Sequence, residues 1–357
     1  MADADQPANK SVVYYSNEAS QCLTEQTQVS NAPAFCAGTF VWTLHDYGGE
    51  PDTFPHVSSS FGSIDYAGFE KPAAGWFRSW WLGNTSATDP SRPPVSLSTP
   101  VFVRIVEQWA PSLNGSTTRT IHVYANAPFV RLRLPSGELY GLPVPITSFG
   151  APAIFFRVPF TPGRITAEAL GEDGATLLGT DSRVSWGAPA ALVLAIDAPS
   201  PLTGTGKAVM LDGLDVALVR ASVVDSTGEV CGDAQDLITF TVSSGPARIV
   251  GTHNGFPALQ APSSASTVAA YGGLARAVAR VTLVATGTLQ DRMLLAAVNV
   301  DAGRGNSSAV STGSTPAAAS FTVSAAAPGL APGSLTILLS TDPGDSVLAV
   351  AQASVVF

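Results

Sequence analysis

Residues 85–100, TSATDPSRPPVSLSTP, divide the chain into two stretches that cannot share one architecture. Four prolines among Ser and Thr leave no periodic apolar face, so the segment reads as a linker. Before it, apolar runs alternate with long loops, and one helical repeat appears. After it, short apolar runs recur between turn-forming residues. The chain carries 33 glycines and 27 prolines in 357 residues. Proline blocks helix interiors and glycine weakens them, so the long second stretch predicts strands and tight turns.

Two β-sandwiches follow from that pattern. Strands are expected at 101–106, 120–124, 130–134, 155–158 and 165–170, with a final short one after the turn Glu172-Asp173-Gly174. Val130-Arg131-Leu132-Arg133-Leu134 has a clean period of two. These strands make a sandwich over 101–186. A second, immunoglobulin-like one runs over 188–357, with its clearest strands at 192–196, 216–224, 237–242 and 275–283. The Gly- and Ser-rich segment 301–319 reads as a long turn. Strands near 320–324, 335–339 and 347–352 fit either the same sandwich or an edge extension.

Composition excludes several classes. Only 13% of residues are charged, and the net charge of −9 offers no basic stripe for phosphates, so no nucleic-acid partner is expected. No apolar segment reaches membrane-spanning length. Cys22, Cys36 and Cys231 have no zinc spacing, and they read as buried thiols or one incidental disulfide. The polar first ten residues show no signal peptide. The sequons at Asn84, Asn114 and Asn306 bear only on a secreted protein.

Residues 1–84 read differently. Val12-Val13-Tyr14-Tyr15 is an apolar run ending in Ser16-Asn17-Glu18, and Thr39-Phe40-Val41-Trp42-Thr43-Leu44 runs into His45-Asp46-Tyr47-Gly48-Gly49-Glu50. A carboxylate past one strand end and a Trp near the next is how a (β/α)₈ enzyme arms its active face. Lys71-Pro72 then opens an amphipathic helix carrying Phe77, Trp80 and Trp81 on one face, with Gly83 and Asn84 as its stop. The reading is about strands 7–8 and the last helix of a TIM barrel, a C-terminal remnant that cannot close a sheet alone. The expected fold is therefore mainly β: a barrel remnant at 1–84, a linker at 85–100, and two sandwiches. A truncated gene model or fragment accounts for the missing strands.

The segment 38–82 carries a denser signal. Trp42, Asp46-Tyr47, Gly49-Glu50-Pro51, Ser58-Ser59-Ser60-Phe61-Gly62, Asp65, Gly68-Phe69 and Lys71 occur in the order found at the end of the catalytic barrel of family 2 glycoside hydrolases. The segment closely resembles the β-galactosidase-like members. Val123-Tyr124-Ala125-Asn126 and Pro159-Phe160-Thr161-Pro162-Gly163 look like that family's post-barrel sandwich. Asp212-Gly213-Leu214-Asp215 and Gly251-Thr252-His253-Asn254-Gly255-Phe256-Pro257 look like its next domain. The resemblance implies hydrolysis of a terminal β-glycosidic bond with retention, most closely of β-galactosides. The β-mannosidase and β-glucuronidase relatives share the scaffold.

By order along the chain Glu18 matches the nucleophile position, although the family usually has Ser where Asn17 stands. A surface carboxylate is the alternative reading. Trp42 either floors the sugar subsite, an indole packing on the C–H face of a pyranose, or packs between barrel and helix. Asp46 either bonds a sugar hydroxyl or caps a turn. His45 and Glu50 share its loop. Lys71 either pairs at the helix start or reaches a substrate hydroxyl. Asn254-Gly255 reads as a turn with positive φ. No G-x-S-x-G elbow accompanies His45, which disfavours acyl transfer.

A retaining glycosidase needs two carboxyl groups about 5–5.5 Å apart, and the acid/base Asn-Glu of barrel strand four has no counterpart in these 357 residues. The expectation is a carbohydrate substrate bound only when the barrel is complete, little or no turnover in isolation, no cofactor, and self-association through exposed remnant surface. The rival class is a non-enzymatic carbohydrate-binding or structural β-sandwich protein.

Overall fold

A computed structural model describes residues 42–51, 53–81, 101–111, 115–146, 151–196, 209–282, 320–340 and 350–355. The run at 12–15, Glu18, Cys22, Cys36, the linker and the segment 301–319 lie outside the described residues. So do the side chains of Trp80 and Trp81 and the expected helix stop at Gly83-Asn84.

The first sandwich pairs a three-stranded sheet with a four-stranded one. The three-stranded sheet has the order β1 (Val103–Ile105), β2 (Thr118–Ala125), β5 (Ala153–Pro159). The other has the order β4 (Val144–Pro145), β3 (Phe129–Arg133), β6 (Arg164–Leu170), β7 (Leu177–Val184). Alternation along β3 sends Val130 and Leu132 inward, while Arg131 and Arg133 face outward and grip Glu168 of β6 from both sides. Ile121, Val123, Ile165 and Ala167 complete the core between the sheets. Trp109 is buried at the end of this core. Its indole N–H, which must find a partner once buried, donates to the Thr161 carbonyl at 3.0 Å.

The second sandwich pairs a four-stranded and a six-stranded sheet. The smaller has the order β12 (Ala247–His253), β14 (Leu274–Val281), β10 (Val216–Asp225), β8 (Pro189–Ile196). The larger runs β13 (Thr267–Ala269), β11 (Leu237–Ser244), β15 (Ser320–Ala326), β16 (Gly333–Ser340), β17 (Val350–Val355), with β9 (Val209–Met210) alongside β16. The late strands are thus no separate extension: β15 pairs with β11 on one side and β16 on the other. Ala275, Ala277 and Ala279 of β14 are fully buried with Val219, Ala221 and Val223 of β10, and Phe240 and Phe321 fill the space opposite these small residues.

The two sandwiches are clasped at the turn after β10. Asp225 accepts hydrogen bonds from the backbone N–H groups of Thr227 and Glu229, and across the junction from Gly187 at 2.7 Å. Burial alone would raise its carboxyl pKa, but these donors bring it down to about 2. Trp186 donates its indole N–H to Asp233 at 2.8 Å in the same clasp.

The single helix described, α1 (Pro72–Trp81), lies on the first sandwich. Pro72 stands at its first position, as expected, because the missing N–H has no helical partner there. Trp76 and Phe77 are buried against Tyr124 of β2, with Phe102 and Val106 beside them. Gly75 lets the helix approach β1 closely, since a Cβ there would stand 2.6 Å from Arg104 Cδ. Among the described residues, no helix is long and apolar enough to cross a membrane.

Candidate functional site

The site expected from the sequence centres on the loop 42–66, which is pinned by few contacts of high quality. The strand expected at 39–44 is not seen in its described part. Trp42, Thr43 and Leu44 form no ladder; instead Thr43 and Leu44 accept from the Ser63 and Ile64 N–H groups, and Asp46 N–H donates to Ile64 O at 2.8 Å. A strand needs a partner along its length, and among the described residues this segment pairs with Ser63 and Ile64 alone.

Asp46 is the buried pin. One carboxylate oxygen accepts from Gly62 N–H at 2.7 Å, and the other pairs with Lys71 Nζ at 2.6 Å. Lys71 also donates to the Ser60 carbonyl at 2.7 Å. Residue 62 must be Gly, since a Cβ there would fall 2.4 Å from Asp46 N. The sequence reading offered Asp46 and Lys71 separately as substrate contacts. The structure brings them together into one buried ion pair that ties the loop to the start of α1.

Trp42 lies at the opposite extreme, 69% exposed. Its indole N–H donates to the Tyr47 hydroxyl at 3.0 Å, and Tyr47 in turn donates to the Glu50 carboxylate. That bond to Glu50 is the main reason the Tyr47 phenol titrates above its ordinary value. Phe61 packs edge-on against the Tyr47 ring. An exposed indole is thereby held in one orientation by a Trp–Tyr–Glu chain. Sequence reasoning missed the part played by Tyr47, although its position two residues beyond His45 was visible. His45 is exposed and bridges Ile64 through its backbone. Glu18 lies outside the described residues.

The far side of the loop seats on the second sandwich. Val57 and Ser58 N–H groups both donate to the Pro257 carbonyl, Tyr66 lies against His253, and the Arg276 guanidinium sits 4.7 Å from the Phe69 ring centroid. Asp65 accepts from the Ala67 and Phe69 N–H groups at 2.9 Å each. Burial outweighs these bonds and raises its pKa to about 6. Gly255 takes the positive φ expected of Asn254-Gly255, at 82°. Among the described residues, no group of three or more His, Cys, Asp or Glu is placed to hold a metal ion.

Two joined β-sandwiches, an exposed-indole loop and one docked helix make this a β-rich chain. Comparison with known proteins makes the relationship specific. Residues 202–290 match the family model described as glycoside hydrolase family 2 C-terminal domain 5. The chain resembles the family 2 glycoside hydrolases. It is 30% identical over 228 residues to Beta-galactosidase BoGH2A of Bacteroides ovatus, covering 62% of this chain and 23% of that protein. It is 29% identical over 223 residues to a beta-glucuronidase of Formosa agariphila, covering 62% and 20%. The chain thus spans less than a quarter of the length of these curated relatives. Among solved structures, a family 2 member from Bacteroides cellulosilyticus superposes with a TM-score of 0.61 at 19% identity, covering 89% of this chain and 36% of that one. A beta-glycosidase from Bacteroides vulgatus gives 0.59 at 21%, covering 83% and 30%. At such identities the likeness is one of fold.

Proposed function

We propose that this chain is part of a retaining glycoside hydrolase acting on terminal β-glycosides, most closely β-galactosides. In this reading residues 1–84 belong to the catalytic barrel, 85–100 link it to a sandwich at 101–186, and 188–357 form an immunoglobulin-like sandwich. Trp42 carries the proposal: it is a large apolar ring left exposed yet fixed by Tyr47 and Glu50. Such a ring suits the C–H face of a pyranose, because it offers contact area at little further ordering cost. In this reading His45, exposed in the same loop, meets substrate hydroxyls, while the Asp46–Lys71 pair holds the loop. Glu18 is the proposed nucleophile, forming the bond to the anomeric carbon as the leaving oxygen takes a proton from a second carboxyl group.

General acid catalysis contributes about 10²–10⁴-fold, and these 357 residues hold a single Asn-Glu, Asn17-Glu18. The chain by itself is therefore expected to turn over little substrate. Trp42, Leu44 and Phe54 are exposed apolar residues of this loop, and copies are expected to associate through such remnant surface. One observation favours the second reading, a non-enzymatic carbohydrate-binding protein: both sandwiches have complete cores of their own. The test is an assay of the purified chain with chromogenic β-galactoside and β-mannoside, alone and with Glu18→Gln. Strong turnover that survives Glu18→Gln removes Glu18 as nucleophile. Absence of both turnover and sugar binding, alone and in the longer protein, removes the enzyme reading.

A further inference from the structure

The loop and the second sandwich meet along a seam that leaves a cleft of about 520 Å³, within the range of about 300–1,000 Å³ typical of small-molecule sites. One wall is Gly48, Val57 and Tyr66 from the loop. The other is His253 at the end of β12 and residues 259–263 after it. The cleft exists only because the two units are docked, and neither wall encloses it alone.

Its chemistry is narrow. Among the described residues lining it, none is Asp, Glu, Lys or Arg. His253 Nδ1 accepts the Gly255 N–H at 3.0 Å, so the proton of the neutral ring sits on Nε2, which is left as a donor. Burial lowers the pKa of this imidazole and keeps it neutral near pH 7. Tyr66 is half-exposed and lies against His253 with ring centroids 4.6 Å apart, tilted by 49°. Gln260, exposed at the rim, supplies a neutral amide that both donates and accepts. Val57 and Leu259 supply the apolar remainder.

We propose that this seam cleft is a carbohydrate subsite that takes one neutral glycosyl unit, separate from the surface of Trp42. A pyranose presents an apolar C–H face and a rim of hydroxyls that both donate and accept. Tyr66 and His253 match the face, and His253 Nε2–H, Gln260 and the Tyr66 hydroxyl match the rim. Anionic ligands are disfavoured, because no cation among the lining residues would replace the water they give up. The proposal rests on the reading of the chain as carbohydrate-active, and it extends that reading to a second point of contact on the same glycan.

The test is titration of the full chain with methyl β-D-galactopyranoside, and with sodium glucuronate as the anionic control, followed by saturation-transfer NMR and calorimetry. Ala261→Trp, at an exposed position on the wall, fills the cleft and is expected to abolish saturable binding of the neutral glycoside there. Tyr66→Ala is expected to weaken it roughly tenfold. Gln260→Ala, also exposed, gives a second and milder reading, and thermal unfolding shows that each variant is folded. No saturable binding of the neutral glycoside overturns the proposal. So does tighter binding of glucuronate. Binding that persists in Ala261→Trp but disappears in Trp42→Ala also overturns it, while leaving the Trp42 surface as the sugar contact. Cleft binding without turnover, even in the longer protein, instead counts against the hydrolase reading and leaves the subsite standing.

Discussion

The carboxylate of Asp65 occupies the space that a side chain at residue 255 would need. A Cβ on Gly255 would lie 2.0 Å from Asp65 Oδ2. Asp65 belongs to the loop and Gly255 to the second sandwich, 190 residues apart in sequence, so the missing side chain of one is the seat of the other.

Gly255→Ala is therefore expected to loosen the seam. The left-handed backbone alone costs a non-Gly residue about 1–3 kcal/mol, and the displaced carboxylate adds to that. Limited proteolysis should cut first within the loop, and adding Asp65→Ala should restore part of the loss by removing the clash. Equal stability of Gly255→Ala and the parent chain in chemical denaturation would show that the two elements do not dock as described.

The raised pKa of Asp65 sets the sign of a pH effect. A carboxyl that titrates at about 6 in the folded chain and near about 3.9 unfolded binds its proton more tightly when folded. Its contribution to stability is present below the unfolded value and declines as pH rises through the folded one. Asp65→Asn keeps an acceptor for the Ala67 and Phe69 N–H groups but carries no proton equilibrium. The difference in stability between parent and Asp65→Asn, measured by urea unfolding from pH 4 to pH 7, should move steadily in favour of the variant. A flat difference would assign Asp65 an ordinary pKa.

Removing Lys71 takes the counter-ion from the buried Asp46 carboxylate, which also accepts from the Gly62 N–H. Breaking a buried pair from one side costs about 3–5 kcal/mol, so Lys71→Met should destabilise strongly. Asp46→Asn paired with Lys71→Met should cost less than the sum of the two singles, because the amide no longer needs a counter-ion. Additive costs would mean that the pair is not coupled.

Trp42→Ala should separate stability from binding. The indole is mostly exposed, and surface substitutions usually change stability by within about 0.5 kcal/mol. Unfolding curves should barely move, while sugar binding at the Trp42 surface, read by NMR titration, should weaken by about tenfold or more. A large drop in stability with unchanged binding would make Trp42 a packing residue.

Strands with strict alternation were legible before any coordinates, as at β3, where Val130 and Leu132 point inward. Long apolar runs such as β10 were equally plain. The strand β12 was not, because Gly251 interrupts it and its register shifts there against β14. The pairs β4 and β9 are two residues long and exist only because a neighbour accepts them. At the site, Trp42, His45, Asp46 and Lys71 were visible as chemistry-bearing types in one loop. That Asp46 and Lys71 neutralise each other was not, because their ion pair depends on the loop folding back through Gly62.

The sequence alone determined the β-rich architecture, the Pro72 helix start and the resemblance to family 2 glycoside hydrolases, since turn chemistry, periodicity and motif order are local properties of the chain. Tertiary structure decided that β15 lies between β11 and β16, that Tyr47 orients Trp42, and that Asp65 seats on Gly255. It also decided that a cleft opens between Tyr66 and His253. Each of these joins residues far apart along the chain or folded back on themselves, and such contacts are set by which surfaces exclude water together, a quantity no local pattern encodes.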